Sequence, residues 1–266
     1  MKLLFSEAPA DYTHYIFPYV VWGVPEPGEK PSMMFNAGFL PSSRQLDRFY
    51  LCRQIRVDLS KFEPSSENRR VLRKGEGIRV ELVPRNQFEY TPERREFFKS
   101  YADAKFGAEV MTYERLDSLF NTQVVTHVML FTDGATGREV GAVTLYIEER
   151  TLAFYYYAFY DLNYSQRNLG MFMMTAAVAE FAAKGVRHLY LGTCYSEKAL
   201  YKIQFSGTEF FNGFRWSDDL EELKFQLRRG SEKADHHLLE SPGYLEQFYG
   251  GDLAKIAAAS NFRVNL

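Results

Sequence analysis

Apolar and polar positions alternate with a period of two along several short stretches of this chain and recur with helical spacing along others. The switches between the two periods set the expected elements. From Phe49 to Phe62, Ile55, Val57 and Leu59 alternate with Gln54, Arg56 and Asp58, which predicts a strand with one buried and one wet face. Pro64, Ser65 and Ser66 then open an expected helix that carries Arg69, Arg70, Arg73 and Lys74 and ends at Gly75 and Gly77. Ile78 to Val83 predicts another strand. Thr91-Pro92-Glu93 starts a second helix, along which Phe97, Phe98, Tyr101 and Phe106 fall at helical spacing.

The second half is more regular. Val124 to Phe131 and Glu139 to Ile147, separated by Asp133-Gly134-Ala135-Thr136-Gly137, predict an antiparallel hairpin. Leu152 to Tyr160 is almost wholly apolar or aromatic, as in the middle of a sheet. Gln166 to Lys184 predicts a helix with Leu169, Phe172, Met173, Ala176 and Glu180 on one face and Gly185 past its end, and Arg187 to Gly192 a short strand. Lys198 to Tyr201 is a candidate start for a further helix. Asp252 to Ala259 is a candidate docking helix in the tail, which also carries His236 and His237. In the first half, Pro18 to Ser43 is rich in Pro, Gly and Ser, and Pro25, Pro27 and Pro31 argue for loop. The order strand, strand, strand, helix, strand resembles the core of acetyl-CoA-dependent N-acetyltransferases (GNAT). The expected fold class is α+β: a GNAT-like mixed sheet with flanking helices, plus a smaller N-terminal α+β domain.

Composition narrows the function classes. A length of 266 residues suits one large or two interlocked domains, and 46% apolar with 25% charged residues describes a folded chain that can bury a core. The net charge of -2 leaves no global basic field, so any RNA contact must be local. The 16% aromatic share fits a ring-rich core and equally a cleft lined by rings. Two cysteines, Cys52 and Cys194, far apart and without metal-ligand spacing, argue against a disulfide scaffold or a zinc site and for a reducing, cytoplasmic compartment. No signal peptide, no apolar run near membrane-spanning length and no internal repeat is read from the sequence.

One stretch carries a resemblance. From Tyr156 to Trp216 the chain reads YYAFYDLNYSQRNLGMFMMTAAVAEFAAKGVRHLYLGTCYSEKALYKIQFSGTEFFNGFRW. FYDLNY at Phe159 to Tyr164, Leu169-Gly170, YLG at Tyr190 to Gly192, Lys198, Tyr201-Lys202, Glu209 and Gly213 to Trp216 resemble, in order and spacing, the C-terminal domain of aminoacyl-tRNA–protein transferases (arginyl- and leucyltransferases). Upstream, GFLPSS at Gly38 to Ser43 and LCRQIRVDLSKFEPSSENRRVLRK at Leu51 to Lys74 are similar to that family's N-terminal domain. The departures are that only Cys52 stands at a cysteine position of that domain, and that Gly38-Phe39-Leu40-Pro41 replaces a basic turn. The resemblance implies a transferase-type N-terminal domain over 1–90, a GNAT-like transferase domain over 91–230 and a tail over 231–266.

It also implies a reaction: transfer of an amino acid from aminoacyl-tRNA to the N-terminal amine of a protein or peptide, with the charged tRNA as co-substrate and no further cofactor or metal. An aminoacyl ester is already activated, so positioning, a modest base and oxyanion donors suffice. By this resemblance Asp161 and Glu209 are the candidate catalytic carboxylates. Arg167, Asn168 and Gly170, at the opening of a helix, with Lys198, Tyr201, Lys202 and Arg215, are candidates for the tRNA side. Cys52, Arg69 and Arg70 are candidates for the acceptor side. Each has a plainer reading: turn chemistry for Asp161, solvated surface charge for the lysines and arginines. His127 reads as a core histidine in an apolar strand, and Cys194 as a small buried residue rather than a nucleophile. Phe172 stands where the acetyl-CoA pattern has Gly or Ala, which argues against ordinary acetyl-CoA use. Two other functions share this frame, an N-acyltransferase with an acyl-CoA donor and a non-catalytic binding protein.

Overall fold

The computed structural model describes residues 1–7, 19–231 and 238–262, so His14, His236 and His237 lie outside the described residues. In chain order the elements are β1 (Lys2–Glu7), β2 (Tyr19–Val24), α1 (Pro31–Asn36), β3 (Phe39–Pro41), β4 (Phe49–Leu51), β5 (Gln54–Asp58), α2 (Ser66–Lys74), β6 (Ile78–Pro84), α3 (Pro92–Phe106), α4 (Tyr113–Leu119) and β7 (His127–Asp133). They continue with β8 (Glu139–Glu148), β9 (Leu152–Tyr160), α5 (Leu169–Ala183), β10 (His188–Thr193), β11 (Thr208–Phe211), β12 (Trp216–Ser217), α6 (Leu220–Ser231), α7 (Pro242–Tyr249) and α8 (Leu253–Ala259). Two compact units interleave along the chain. A terminal unit comprises Met1–Ser42, Arg48–Arg56 and Gly192–Leu266, and a central unit comprises Ser43–Asp47 and Val57–Leu191.

The central unit holds a mixed sheet in the order β10-β9-β8-β7-β6. The hairpin expected from the alternation is β7/β8, antiparallel from His127↔Leu145 to Thr132↔Glu139 with a bulge at Phe131/Thr132. β8 pairs antiparallel with β9, and β9 pairs parallel with β10 through Leu152↔His188. A parallel pair needs a crossover, which α5 supplies, so β7, β8, β9, α5 and β10 realise the GNAT-like order expected from the sequence. α5 is buried on most of its surface, from Leu169 to Phe181, which is why its apolar residues run almost all round. It packs against α2, where a Cβ on Gly75 would stand 2.1 Å from the Phe172 ring. On the other face, Phe98 of α3 stacks on Phe159 of β9 with centroids 4.7 Å apart, inside a cluster that includes Leu116, Phe120 and Val128.

Two helices differ from expectation. α5 begins at Leu169 rather than Gln166, because Asn168 adopts the left-handed conformation (φ 54, ψ 49) and residues Leu162–Arg167 form a 3-10 turn instead. α4 was not anticipated: its seven residues are too few to display a period, although Thr112 caps it by accepting from the Arg115 N–H. α2 forms as expected, with a reciprocal capping box between Ser65 and Asn68 and with Gly75 at its C-cap.

The terminal unit holds a four-stranded antiparallel sheet in the order β1-β2-β4-β3, and the strands β12-β11-β5. Residues Pro18 to Ser43 are thus not simply loop. Pro31 sits in the first turn of α1, where its missing N–H leaves no bond unmade, while Pro25 and Pro27 fall between β2 and α1. Likewise Phe49 to Phe62 is two strands, β4 and β5, broken at Cys52 and Arg53. α8 forms over the stretch expected to dock, and its Ile256 is buried with Tyr244 and Tyr249 of α7.

Candidate functional site

The break between β4 and β5 is where the terminal unit gathers its polar side chains. The Cys194 N–H donates to the Arg53 carbonyl at 2.9 Å, and the Arg53 N–H donates to the Tyr195 hydroxyl at 2.9 Å. These two bonds place the Arg53 guanidinium 5.4 Å from the Tyr195 ring centroid. Gly192, next to last in β10, takes a positive φ of 80, and the 3-10 turn Glu197–Ile203 that follows the strand brings Lys202 back. The Lys202 ammonium donates to the Thr193 carbonyl at 2.8 Å.

Burial holds the Lys202 ammonium below the usual lysine range, against a small opposing pull from Cys194, and burial likewise lowers Arg53. Neither cation makes an ion pair among the described residues. Both act on the Cys194 thiol, which burial nevertheless pushes up, and burial pushes Cys52 up further. Cys52 and Cys194 are both free and buried, and a raised thiol is a poor nucleophile. Gln54, fully buried in β5, has neither side-chain polar atom satisfied among the described residues.

Glu209, from β11, is held by Arg56 at 2.7 Å, and the Arg56 guanidinium lies 3.8 Å from the Trp216 ring centroid. The Trp216 indole N–H in turn donates to the Asn36 carbonyl at 2.7 Å. Arg215 is turned inward, with one guanidinium nitrogen 3.4 Å from the Tyr249 hydroxyl. Below it, the buried Glu222 carboxylate accepts from Asn212 at 2.9 Å, Ser217 at 2.8 Å, Tyr244 at 2.5 Å and Tyr249 at 3.2 Å. This network fixes the floor of the unit and ties α6 and α7 to β11 and β12. Lys198 and Tyr201 are exposed on the 3-10 turn.

The other candidates lie in the central unit. Asp161 is nearly buried after β9. Its Oδ2 meets Arg138 at 2.6 Å and its Oδ1 accepts from the Asn163 N–H at 2.8 Å, while the Tyr164 hydroxyl donates to Asp133 beside them. Asn168 is exposed at the start of α5, and a Cβ on Gly170 would stand 2.9 Å from the Tyr160 ring. Arg167 belongs to the preceding turn, and its side chain lies outside the described residues. On α2, Arg69 donates to the Pro64 carbonyl at 2.5 Å and Arg70 pairs with Glu67 at 2.5 Å, both on the exposed face. Phe172 is buried, its ring 6.0 Å from that of Phe131.

Within the terminal unit the fold brings Lys202 and Arg53 each toward Cys194, and Glu209 beside Arg56. Arg53, Tyr195 and Gln54 were not singled out from the sequence. The signal was present at Arg53, a cation inserted between Cys52 and a strand whose next two residues are both buried. Among the described residues no group of three His, Cys, Asp or Glu side chains is placed to hold a metal ion, and no helix is long and apolar enough to cross a membrane.

No protein-family model matches the chain. An aspartate/glutamate leucyltransferase of Methylobacterium sp. (strain 4-46) is 30% identical over 172 residues, covering 59% of this chain and 68% of that protein. The chain belongs to the aspartate/glutamate leucyltransferase family. A second leucyltransferase of this name, from Ruegeria pomeroyi, is 27% identical over 172 residues; the match covers 62% of this chain and spans 61% of that relative's length. Among solved structures, the C-terminal domain of a putative lysylphosphatidylglycerol synthetase from Agrobacterium fabrum is similar with a TM-score of 0.38 and 15% identity, over 61% of this chain and 50% of that one. The strand order and pairing given above define the fold class independently of that likeness.

Proposed function

We propose that this leucyltransferase-family chain moves an amino acid, leucine by the names of its relatives, from an aminoacyl-tRNA ester to the α-amine of a protein or peptide that begins with an acidic residue. The observation that carries this reading is Arg53 and Lys202, two half-buried cations that both act on Cys194 and have no ion-pair partner among the described residues. Such cations stabilise a carboxylate through charge-assisted hydrogen bonds, and disfavour a neutral side chain, which would shield both from water without supplying the opposite charge. The relatives' names give aspartate and glutamate as the residues acted on.

In the reaction the acceptor amine attacks the ester carbonyl, the new amide C–N bond forms, the ester C–O bond breaks, and the tRNA ribose oxygen leaves and takes up a proton. An α-amine titrates near pH 8, so a weak base suffices to collect its proton. Glu209 is favoured for that role because it shares a unit with the cation pair. Asp161, with both oxygens engaged by Arg138 and Asn163, shapes the turn that leads to Asn168 and Gly170. Arg167, Asn168, Gly170, Lys198 and Tyr201 are assigned to the tRNA acceptor end, where backbone N–H groups and exposed cations meet phosphates. Arg215, turned toward Tyr249, supports the site rather than touching RNA.

The test supplies purified protein with tRNA charged with labelled amino acids, omitting one at a time, and with peptides of differing first residue. Label reaching peptides that begin with Asp or Glu, and vanishing when leucine is omitted, is the expected result. A folded protein that moves no label from any charged tRNA would overturn the proposal.

A further inference from the structure

The mixed sheet of the central unit ends in β6, which pairs with β7 in unbroken register from Ile78↔Asp133 to Pro84↔His127 and stands last in the strand order. Among the described residues nothing pairs its outer side. Arg79, Val80 and Glu81 are exposed along it, Val80 at 39%. An edge of this kind is a template for another strand, and chains that remain single usually guard it with charged side chains, a bulge or an inserted proline. Neither a bulge nor a proline interrupts Ile78 to Val83. The charges present are of opposite sign and two residues apart, and neither the Arg79 nor the Glu81 side chain makes an ion pair or hydrogen bond among the described residues.

That spacing is self-complementary. A two-fold axis through Val80 lays the strand antiparallel on a second copy so that Arg79 faces Glu81 of the second copy, Val80 faces Val80, and Ile78 faces Leu82. Because residues opposite one another share a face, the two ion pairs then line one face and the apolar pairs the other. The apolar face is also where a groove of about 290 Å³ opens, lined by Leu72, Val80, Phe172, Ala176, Ala179 and Glu180. Moving the axis to Arg79 or to Glu81 sets like charges face to face, so the charge pattern selects one register.

We infer that β6 is a homodimerisation edge, joining two copies of this chain through antiparallel β6–β6 pairing centred on Val80. The occupant is a second copy because the strand's charges complement themselves under that rotation. Sedimentation velocity over a range of protein and salt concentrations, on the full chain, tests it. The unchanged protein should form a dimer that loosens as salt rises. R79E and E81R should each weaken it about tenfold or more, since each turns two attractive cross-strand pairs into repulsive ones. The double variant R79E/E81R restores opposite charges in the same register and should restore the dimer. A protein that stays monomeric throughout, a dimer indifferent to R79E, or a double variant no better than the singles would overturn the inference. Both side chains are exposed, so unchanged circular dichroism and melting temperature distinguish loss of pairing from loss of fold.

Discussion

Replacing Lys202 by Met separates charge from packing at the proposed carboxylate site. The methionine keeps an unbranched apolar stem in the half-buried slot and removes only the ammonium, so the structural cost is the bond to the Thr193 carbonyl, made at 2.8 Å. Against that loss stands relief of burying a charge, the effect that lowers the lysine's proton affinity. The two oppose each other, and stability should change by no more than about 1 kcal/mol. Transfer is another matter. A hydrogen bond to a charged group contributes about 1.5–3 kcal/mol, which at 1.36 kcal/mol per decade is roughly 12- to 160-fold in kcat/KM. The loss should fall on peptides beginning with Asp or Glu, and R53M should behave alike. The assay is initial-rate transfer from leucyl-tRNA to paired peptides that differ only in Asp against Asn at the first position. If K202M lowers both peptides equally, or neither, while remaining folded, the carboxylate reading is refuted.

Three further outcomes follow from the packing and the titrating groups. Gly75→Ala should destabilise by at least about 1–3 kcal/mol in urea unfolding, because its Cβ lands 2.1 Å from the Phe172 ring and α2 must retreat from α5; adding Phe172→Leu should recover part of the loss. Glu222→Ala leaves the donors of Asn212, Ser217, Tyr244 and Tyr249 without their buried acceptor and should cost about 3 kcal/mol or more, read as a lowered melting temperature with α7 and α8 loosened in hydrogen exchange. Burial, and then the Lys184 ammonium, lower the pKa of His127 below 6.5, so the unfolded chain takes up the proton first as pH falls. The folded state therefore loses stability on acidification from about 6.5 down to the lowered value and keeps its full margin above; His127→Gln should flatten that slope in pH-dependent unfolding.

The parts of the fold that were legible are those where one period runs long enough to declare itself. β7, β8 and β9 alternate or stay apolar for seven to ten residues, and α3 and α5 run for fifteen. The parts that were not are short or depend on distant partners. α4 has seven residues, α1 is carried by a proline that reads as a breaker unless its place in the first turn is known, and β2 and β3 exist because the sheet with β4 pairs them. The candidate site shows the same divide. Lys202 and Glu209 were found through the spacing of a family pattern, but nothing along the chain announces that Lys202 returns to Thr193 or that Arg56 holds Glu209. Arg53 is not legible in the sequence because a single cation beside a strand looks like any solvated charge; only the fold, by half-burying it without an ion-pair partner among the described residues beside Tyr195 and Cys194, gives it meaning.

The proposed activity is amino-acid transfer from charged tRNA to an acidic N-terminus. It is tested most directly by mixing the purified protein with leucyl-tRNA and two peptides, one beginning with Asp and its counterpart beginning with Asn, and reading both by mass spectrometry. The Asp peptide should gain one leucyl residue at its N-terminus and the Asn peptide should not. Equal modification of both, or modification of neither by a folded protein, contradicts it.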